Sequence, residues 1–354
     1  MNSMRILILT PSRFPGTTGN AITTERWRRS LTAAGAVVEV LSSSELESSE
    51  FAEHLRSFRP DVIHIHHAFR TAVLVLDPLI RPQIETLPLV VSPGGTDINL
   101  DIGMAERKET VLSVLNMARI ILVQGGDTAQ SVWRNLPDRS ASIVHVAKAF
   151  SWFGNEDCEL RKAANCSDKD VLFFLPAGIR PVKGNLECLA AMERVFETRP
   201  NVRFVNAGPA IDAAYAAKFE RKVNELAAFA RWIRAIPPAA MRSGYEASDV
   251  VVNASFSEGL SNSVLEALAA ERPVLASDVP GNRQPLQGED GPPAGLLFDP
   301  RNPDDFVAKA IALVDDDELR RRLAQAAGMR RNAIPTPEAE AAGLLAAYKA
   351  AMGS

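Results

Sequence analysis

Two glutamates, Glu258 and Glu266, stand eight positions apart in SEGLSNSVLEALAAERPVLAS, and two cations, Arg180 and Lys183, stand three apart in AGIRPVKGN. Carboxylates accept hydrogen bonds from vicinal hydroxyls such as those of sugars and ribose. An arginine fork and a lysine point charge together suit a diphosphate. The two acids are not equivalent. Ser263-x-x-Glu266 fits a capping box at the start of an apolar-periodic helix, so Glu266 has a structural role open to it. Glu258 precedes Gly259 outside that helix, where an acid needs a partner. The loop Gly259-Leu260-Ser261-Asn262 leads into a helix start whose N–H groups can hold phosphate. Acids, N–H groups and a basic pair point together to a nucleotide sugar. The bland alternative for Arg180 and Lys183, two solvated surface cations, is weakened by their place at a strand's carboxyl end.

The first half carries its own clusters. GTTGN (16–20) has Gly16 and Gly19 for a tight loop and Asn20 to open a helix, with N–H groups available for an anion. It is neither a GxGxxG fingerprint nor a P-loop, and a plain turn with an N-cap fits equally well. Trp27, Leu31 and Ala34 share one face of that helix, which leaves Arg26, Arg28 and Arg29 to a solvated face. HIHHAFR places His64 and His66 on one face of a strand and His67 at its end. With no acid or cysteine beside them in sequence, a metal site is not expected. One of His66 and His67 is placed to donate to a substrate, and the remaining histidines read as satisfied core or edge residues. In SPGGTD, Gly94 and Gly95 permit close backbone approach. Asp97 is read either as a turn cap or as an acceptor for a substrate hydroxyl.

Those residues follow strand candidates. RILILT (5–10), VVEVL (37–41), DVIHIH (61–66), LVVS (89–92), IILVQ (120–124) and SIVHV (142–146) make the first six. VLFFLPAG (171–178), VRFVNAG (202–208), RWIRAI (231–236), DVVVNAS (249–255), PVLAS (273–277) and GLLFDP (295–300) make the second. Runs apolar on both faces and separated by helical patterns imply parallel sheets of βαβ units, hence an α/β protein with two doubly wound, Rossmann-like domains. The stretch 151–169 breaks the pattern and reads as a linker. AIPTP (333–337) sets off a separate final helix. Open parallel sheets bind ligands beyond the carboxyl ends of their strands, so the expected active site is a cleft faced by both domains.

Composition bounds the rest. The 354 residues are 46% hydrophobic and 23% charged, ample for a buried core in two domains. A net charge of −4 and a pI of about 5.9 give no global basic field for nucleic acid or anionic lipid. Cys158, Cys166 and Cys188 show no metal-ligand pattern and fit a reducing cytoplasm. MRILILTP is too short for a signal peptide or membrane span, so no transmembrane segment is expected, and peripheral membrane contact is not indicated.

EGLSNSVLE resembles the E-x7-E motif of retaining family-4 glycosyltransferases (glycosyl transferases group 1) with the GT-B fold, and the resemblance covers nearly the whole chain. RPVKG is similar to the family's Arg-x-x-Lys pair, NAGP (206–209) to its second-strand turn, PGN (280–282) to the loop after the motif, GTTGN to its Gly-rich first loop, and GGTD to its His-Gly-Thr-Asp segment. TGN…RW, RPVK and PGN together most resemble glycosyltransferase 1 domain-containing proteins and selenosugar synthases.

The resemblance implies a GT-B architecture. Residues 1–158 would form the acceptor-side domain, 159–334 the donor domain, and 335–354 a helix packing back on the first domain. It implies sugar transfer from a nucleoside-diphosphate sugar, UDP-linked, to a small-molecule, glycan or lipid acceptor. Transfer would keep the configuration and need neither metal nor other cofactor. Arg180 and Lys183 would neutralise the diphosphate, Glu258 with the backbone of Gly259 and Leu260 would hold the donor sugar, and Glu266 would hold the ribose. Ser261, Asn262, Gly208, Gly19 and Asn20 would line the donor, and His66, His67, Gly95 and Asp97 the acceptor side. Gly94 replaces the family's histidine, so any role of that histidine passes to His66 or His67. Leu260 and Ser261 stand where many relatives have Phe and Gly, which leaves donor preference open. Selenosugar-type transfer to selenium, a sugar phosphorylase, a nucleotide-sugar epimerase and a non-catalytic sugar-nucleotide binder are the alternatives.

Overall fold

Strands that are apolar on both faces need cover on both faces, and each run named above meets that need in one of two sheets. The structure, a computed structural model, describes residues 3–287 and 291–353. In the first sheet are β1 (Arg5–Thr10), β2 (Val37–Ser42), β3 (Val62–His66), β4 (Leu89–Ser92), β5 (Ile120–Val123) and β6 (Ile143–His145). In the second are β7 (Val171–Pro176), β8 (Val202–Ala207), β9 (Ala230–Ile233), β10 (Val250–Asn253), β11 (Val274–Ser277) and β12 (Gly295–Phe298). All twelve expected runs form strands. β9 departs most from its run, because the chain leaves the sheet ahead of Pro237 and Pro238.

Period-two alternation divides each strand between two apolar layers. Leu7 and Leu9 of β1 enter the layer on one side of the first sheet, and Ile6 and Ile8 the layer on the other. Val171, Phe173 and Leu175 of β7 are divided from Leu172 and Phe174 in the same way. All pairings are parallel. The strand orders are β2-β1-β3-β4-β5-β6 and β12-β11-β10-β7-β8-β9. The winding reverses between β1 and β3 in one sheet and between β7 and β10 in the other. Such switch points are where doubly wound sheets take ligands.

The chain divides into two compact units, Met1–Ala149 with Pro335–Ser354, and Phe150–Ile334. Most of the stretch read as a linker is packed into the second unit. The Trp152 ring lies 5.6 Å from Tyr245, Leu160 is buried, and Arg161 pairs with Asp249 at 3.0 Å. Its polar composition hid these contacts. Among the described residues no helix is long and apolar enough to cross a membrane.

The helix Pro337–Gly353 belongs to the first unit and buries Ala341, Leu344, Ala347, Tyr348 and Ala351 against it. One acid lies on that buried face. Glu340 accepts from Arg26 Nε at 2.7 Å and Arg26 Nη2 at 3.0 Å, and from Gln124 Nε2 at 2.6 Å. Arg26 and Glu340 are 2% and 0% exposed, so the solvated face expected for the three arginines is corrected for Arg26. Arg28 and Arg29 do stay partly in solvent, both paired with Glu25. The sequence could not show the difference, because the partner of Arg26 lies 314 residues away. Burial acts to raise the Glu340 carboxyl, and the guanidinium with its hydrogen bonds outweighs it, so the group sits below the ordinary range.

Removing one member of a buried pair leaves the other charge without compensation. Glu340→Ala is expected to destabilise the first unit by about 3–5 kcal/mol in denaturant unfolding, and Arg26→Met/Glu340→Leu by less than either single change. A loss under about 1 kcal/mol for Glu340→Ala would show that the pair does not hold the helix.

Candidate functional site

In the second unit the residues of interest gather at the switch point. The loop after β7 and the loop after β10 lie side by side because their strands pair, and Phe256 N–H donates to the Val182 carbonyl at 2.9 Å. Gly184 makes this approach possible. It adopts a left-handed conformation (φ 61°), and a Cβ there would stand 2.3 Å from the Ala254 carbonyl oxygen.

The approach brings Lys183 Nζ to 2.6 Å from Glu258 Oε1. Ser255 Oγ donates to the same oxygen at 2.6 Å and Asn253 Nδ2 at 3.2 Å. The side chains of Lys183 and Glu258 are 20% and 12% exposed. Burial acts to raise the Glu258 carboxyl; Lys183, Ser255 and Asn253 outweigh it and hold the group below the ordinary range. The acid without a structural partner in the sequence, and one of the two cations, are therefore partners of each other.

Behind the pair lies an amide framework that the sequence reading did not single out. The two Nδ2 hydrogens of Asn253, the last residue of β10, are shared among Glu258 Oε1 and the Ser261 and Ser263 hydroxyls, which lie 3.2, 2.8 and 3.1 Å away. Asn253 Oδ1 accepts from Ser255 N–H and from Asn282 Nδ2. Asn206 of β8 donates to the Ala177 carbonyl, Asn185 donates to Asn206, and Asn185 Oδ1 accepts the Arg180 N–H at 3.2 Å. Gly281 backs the loop so closely that a Cβ would meet the Gly259 and Glu258 carbonyl oxygens at 2.6 and 2.7 Å. An asparagine closing an otherwise apolar strand, in VVVN and VRFVN, is the signal that marks these residues.

The helix expected after Ser261 begins at Asn262, with Ser261 at the N-cap and no side-chain cap bond. The expected capping box does not form, because the helix begins ahead of Ser263 and leaves it inside the first turn. Glu266 instead accepts from the Tyr245 hydroxyl at 2.5 Å. Gly259 and Leu260 are half-buried in the loop between Glu258 and Ser261. Gly208 follows β8, its carbonyl accepting from Trp232 Nε1 at 2.9 Å.

In the first unit, β1 and β3 flank the other switch point. The helix expected to open at Asn20 spans Gly19–Ala33, one residue earlier, with Thr18 as its N-cap. Gly19 is exposed and Asn20 half-buried. His64 and His66 share the Ser92 hydroxyl at 2.8 and 2.9 Å and pack on Trp27. His64 also lies 2.8 Å from the Tyr348 hydroxyl. His67 Nε2 lies 2.9 Å from Thr96 Oγ1. Its ring stands where a side chain at 94 would go, 2.8 Å from the position of a Gly94 Cβ. Gly95 (φ 95°) leads into the short helix Thr96–Asn99. Asp97 is 0% exposed and builds this turn: Oδ2 accepts from Ala68 and Gly94 N–H at 2.7 and 3.1 Å, and Oδ1 from Ile98 N–H.

Parallel sheets in these two orders define a GT-B protein, and solved structures agree. Sucrose-phosphate synthase from Thermosynechococcus elongatus superposes with a TM-score of 0.80 at 17% identity, over 98% of each chain. Anabaena Alr3699/HepE, solved with UDP and glucose, gives 0.77 at 14% identity over 97% of this chain and 99% of that one. At the level of sequence, residues 157–330 match the family model "Glycosyl transferases group 1", so this segment of the chain is a glycosyl transferases group 1 domain. The Xenopus tropicalis "Glycosyltransferase 1 domain-containing protein 1" is 28% identical over 90% of both chains. D-inositol 3-phosphate glycosyltransferase of Segniliparus rotundus is 32% identical over 49% of this chain and 38% of its own length.

Burial lowers all three histidines. The His64 ring falls to about 3, His66 falls well below the usual range, and His67 falls too, its drop partly opposed by Asp97. Their folded values lie below the unfolded 6.5, so their contribution to stability is complete above about pH 6.5 and lost as pH falls toward the folded values. Ring-proton NMR should find His64 and His66 neutral throughout the range from pH 8 to 5. A midpoint near 6.5 for either would contradict the burial argument.

Proposed function

We propose that this chain transfers a sugar from a nucleoside-diphosphate sugar, UDP-linked, to a small-molecule, glycan or lipid acceptor, with retention of configuration and without a metal ion. The observation that carries the reading is the Lys183–Glu258 contact of 2.6 Å at the switch point of the second sheet. The contact sets Lys183, which we read as a phosphate-binding cation, beside Glu258, which we read as an acceptor for sugar hydroxyls, within a glycosyl transferases group 1 domain. Structures of the same fold solved with UDP and glucose, and with ADP and acarbose, add support for a nucleotide donor. The three free thiols suit a cytoplasmic setting.

In this reading the bond from the anomeric carbon to the diphosphate oxygen breaks, its electron pair leaves with the diphosphate, and a lone pair of the acceptor forms the new bond to that carbon while the acceptor's proton passes to the departing diphosphate. Arg180 and Lys183 stabilise the charge that develops there, which is the interaction preorganised sites use most effectively. Glu258 and the Gly259–Leu260 backbone orient the sugar, Glu266 takes the ribose hydroxyls, and Ser261 and Asn262 offer N–H groups to phosphate.

Thermal-shift screening against UDP-, GDP- and ADP-sugars is expected to raise the midpoint with the UDP-linked donor. Saturation at a hundred times Kd corresponds to about 2.7 kcal/mol. Arg180→Ala and Lys183→Ala are each expected to lower turnover on the order of a hundredfold or more. Full turnover in both variants, or no stabilisation by any nucleotide sugar, would overturn the proposal.

A further inference from the structure

We infer that Tyr245 is a positioning residue that fixes the Glu266 carboxylate for the ribose hydroxyls of the donor nucleotide, an inference that rests on the donor reading above. Tyr245 lies in the helix Met241–Ala247, 21 residues before Glu266, at a spacing that no helical or strand period connects. Its hydroxyl donates to Glu266 Oε2 at 2.5 Å.

The phenol is held as firmly as the bond suggests. Tyr245 is 0% exposed, with Phe174 of β7 edge-on at 5.5 Å and Trp152 at 5.6 Å. Burial, with the Glu266 charge beside it, pushes the phenol well above its ordinary range. The hydrogen stays on, and the O–H is a permanent donor. A glutamate side chain is long and rotamer-rich, and ordering it during ligand binding weakens affinity. Here the ordering is completed in the fold. The Asn253 network anchors the first turn of the Asn262–Ala269 helix, and Tyr245 anchors the carboxylate one turn further on.

Tyr245→Phe keeps the ring and removes only the donor. Binding is measured by calorimetry with the tightest of UDP, GDP and ADP and with its 2′-deoxy and 3′-deoxy forms, on wild type, Tyr245→Phe and Glu266→Gln. The wild type is expected to lose about tenfold for a missing ribose hydroxyl. Tyr245→Phe is expected to bind the parent nucleotide about tenfold more weakly and to lose most of that discrimination. Its KM for the donor should rise more than its kcat falls. Trp152→Leu loosens the box around the ring without touching either oxygen, and is expected to give a smaller loss in the same direction should Tyr245→Phe not fold.

Undiminished ribose discrimination in Tyr245→Phe, or in Trp152→Leu where that variant must stand in, overturns the inference and leaves the donor reading intact. A wild type indifferent to the ribose hydroxyls, with Glu266→Gln binding as tightly, removes the ribose role of Glu266 and the inference with it. Absence of nucleotide binding by the wild type overturns the donor reading itself.

Discussion

A carboxylate largely withdrawn from water needs positive charge and hydrogen bonds, and Glu258 finds both in Lys183, Ser255 and Asn253. Much of the second unit is arranged around that requirement. The loops that carry the two charges are 75 residues apart in the chain, and only the pairing of β7 with β10 brings them together. Glycine at 184 lets the loops touch, and glycine at 281 admits the start of the helix Pro280–Gln287 behind them. Desolvating two charges costs several kcal/mol per ion. Lys183 and Glu258 keep 20% and 12% of their side chains exposed, so only part of that cost falls on the pair.

The first unit solves a similar problem by neutrality. Its switch point holds three buried histidines, and burial keeps them uncharged while Ser92, Thr96 and Tyr348 meet their ring nitrogens. The buried charges that remain are given partners or backbone donors: Asp97 takes main-chain N–H groups, and Arg26 takes Glu340. Arg26 lies in the helix that begins at Gly19 and Asn20, so the docked C-terminal helix fixes the helix whose start was read as an anion site. The helix that follows the Gly-rich loop is thus tied to the last helix of the chain by one buried ion pair.

Strands were legible because an apolar run covered on both faces is a local signal, and the sheet class followed from the alternation of strands with helices. Loops after strands were legible for the same reason, which is how Arg180, Lys183 and Glu258 came to be considered together. What escaped was the partner of each buried polar group. Nothing near Arg26 in sequence announces Glu340, and nothing near Glu266 announces Tyr245; Ser263-x-x-Glu266 even offered a false local partner. Capping patterns describe what a helix start can do in isolation, and here the helix starts ahead of Ser263, at Asn262. Asn185, Asn206 and Asn253 carry no charge that marks them in the sequence, yet Asn185 and Asn206 tie the loop after β7 to β8 and Asn253 ties β10 to its own loop and to Asn282.

The pairing of Lys183 with Glu258 also constrains how a donor would enter. One carboxylate oxygen has two lone pairs, and Glu258 Oε1 is approached by three donors, so the oxygen is oversupplied. Under the donor reading proposed above, a diphosphate that drew Lys183 away would leave Ser255 and Asn253 on that oxygen, so the carboxylate would keep hydrogen-bond donors. A hydrophobic residue in place of either charge would make the loop junction easier to build, at the loss of the ion pair that joins the two loops.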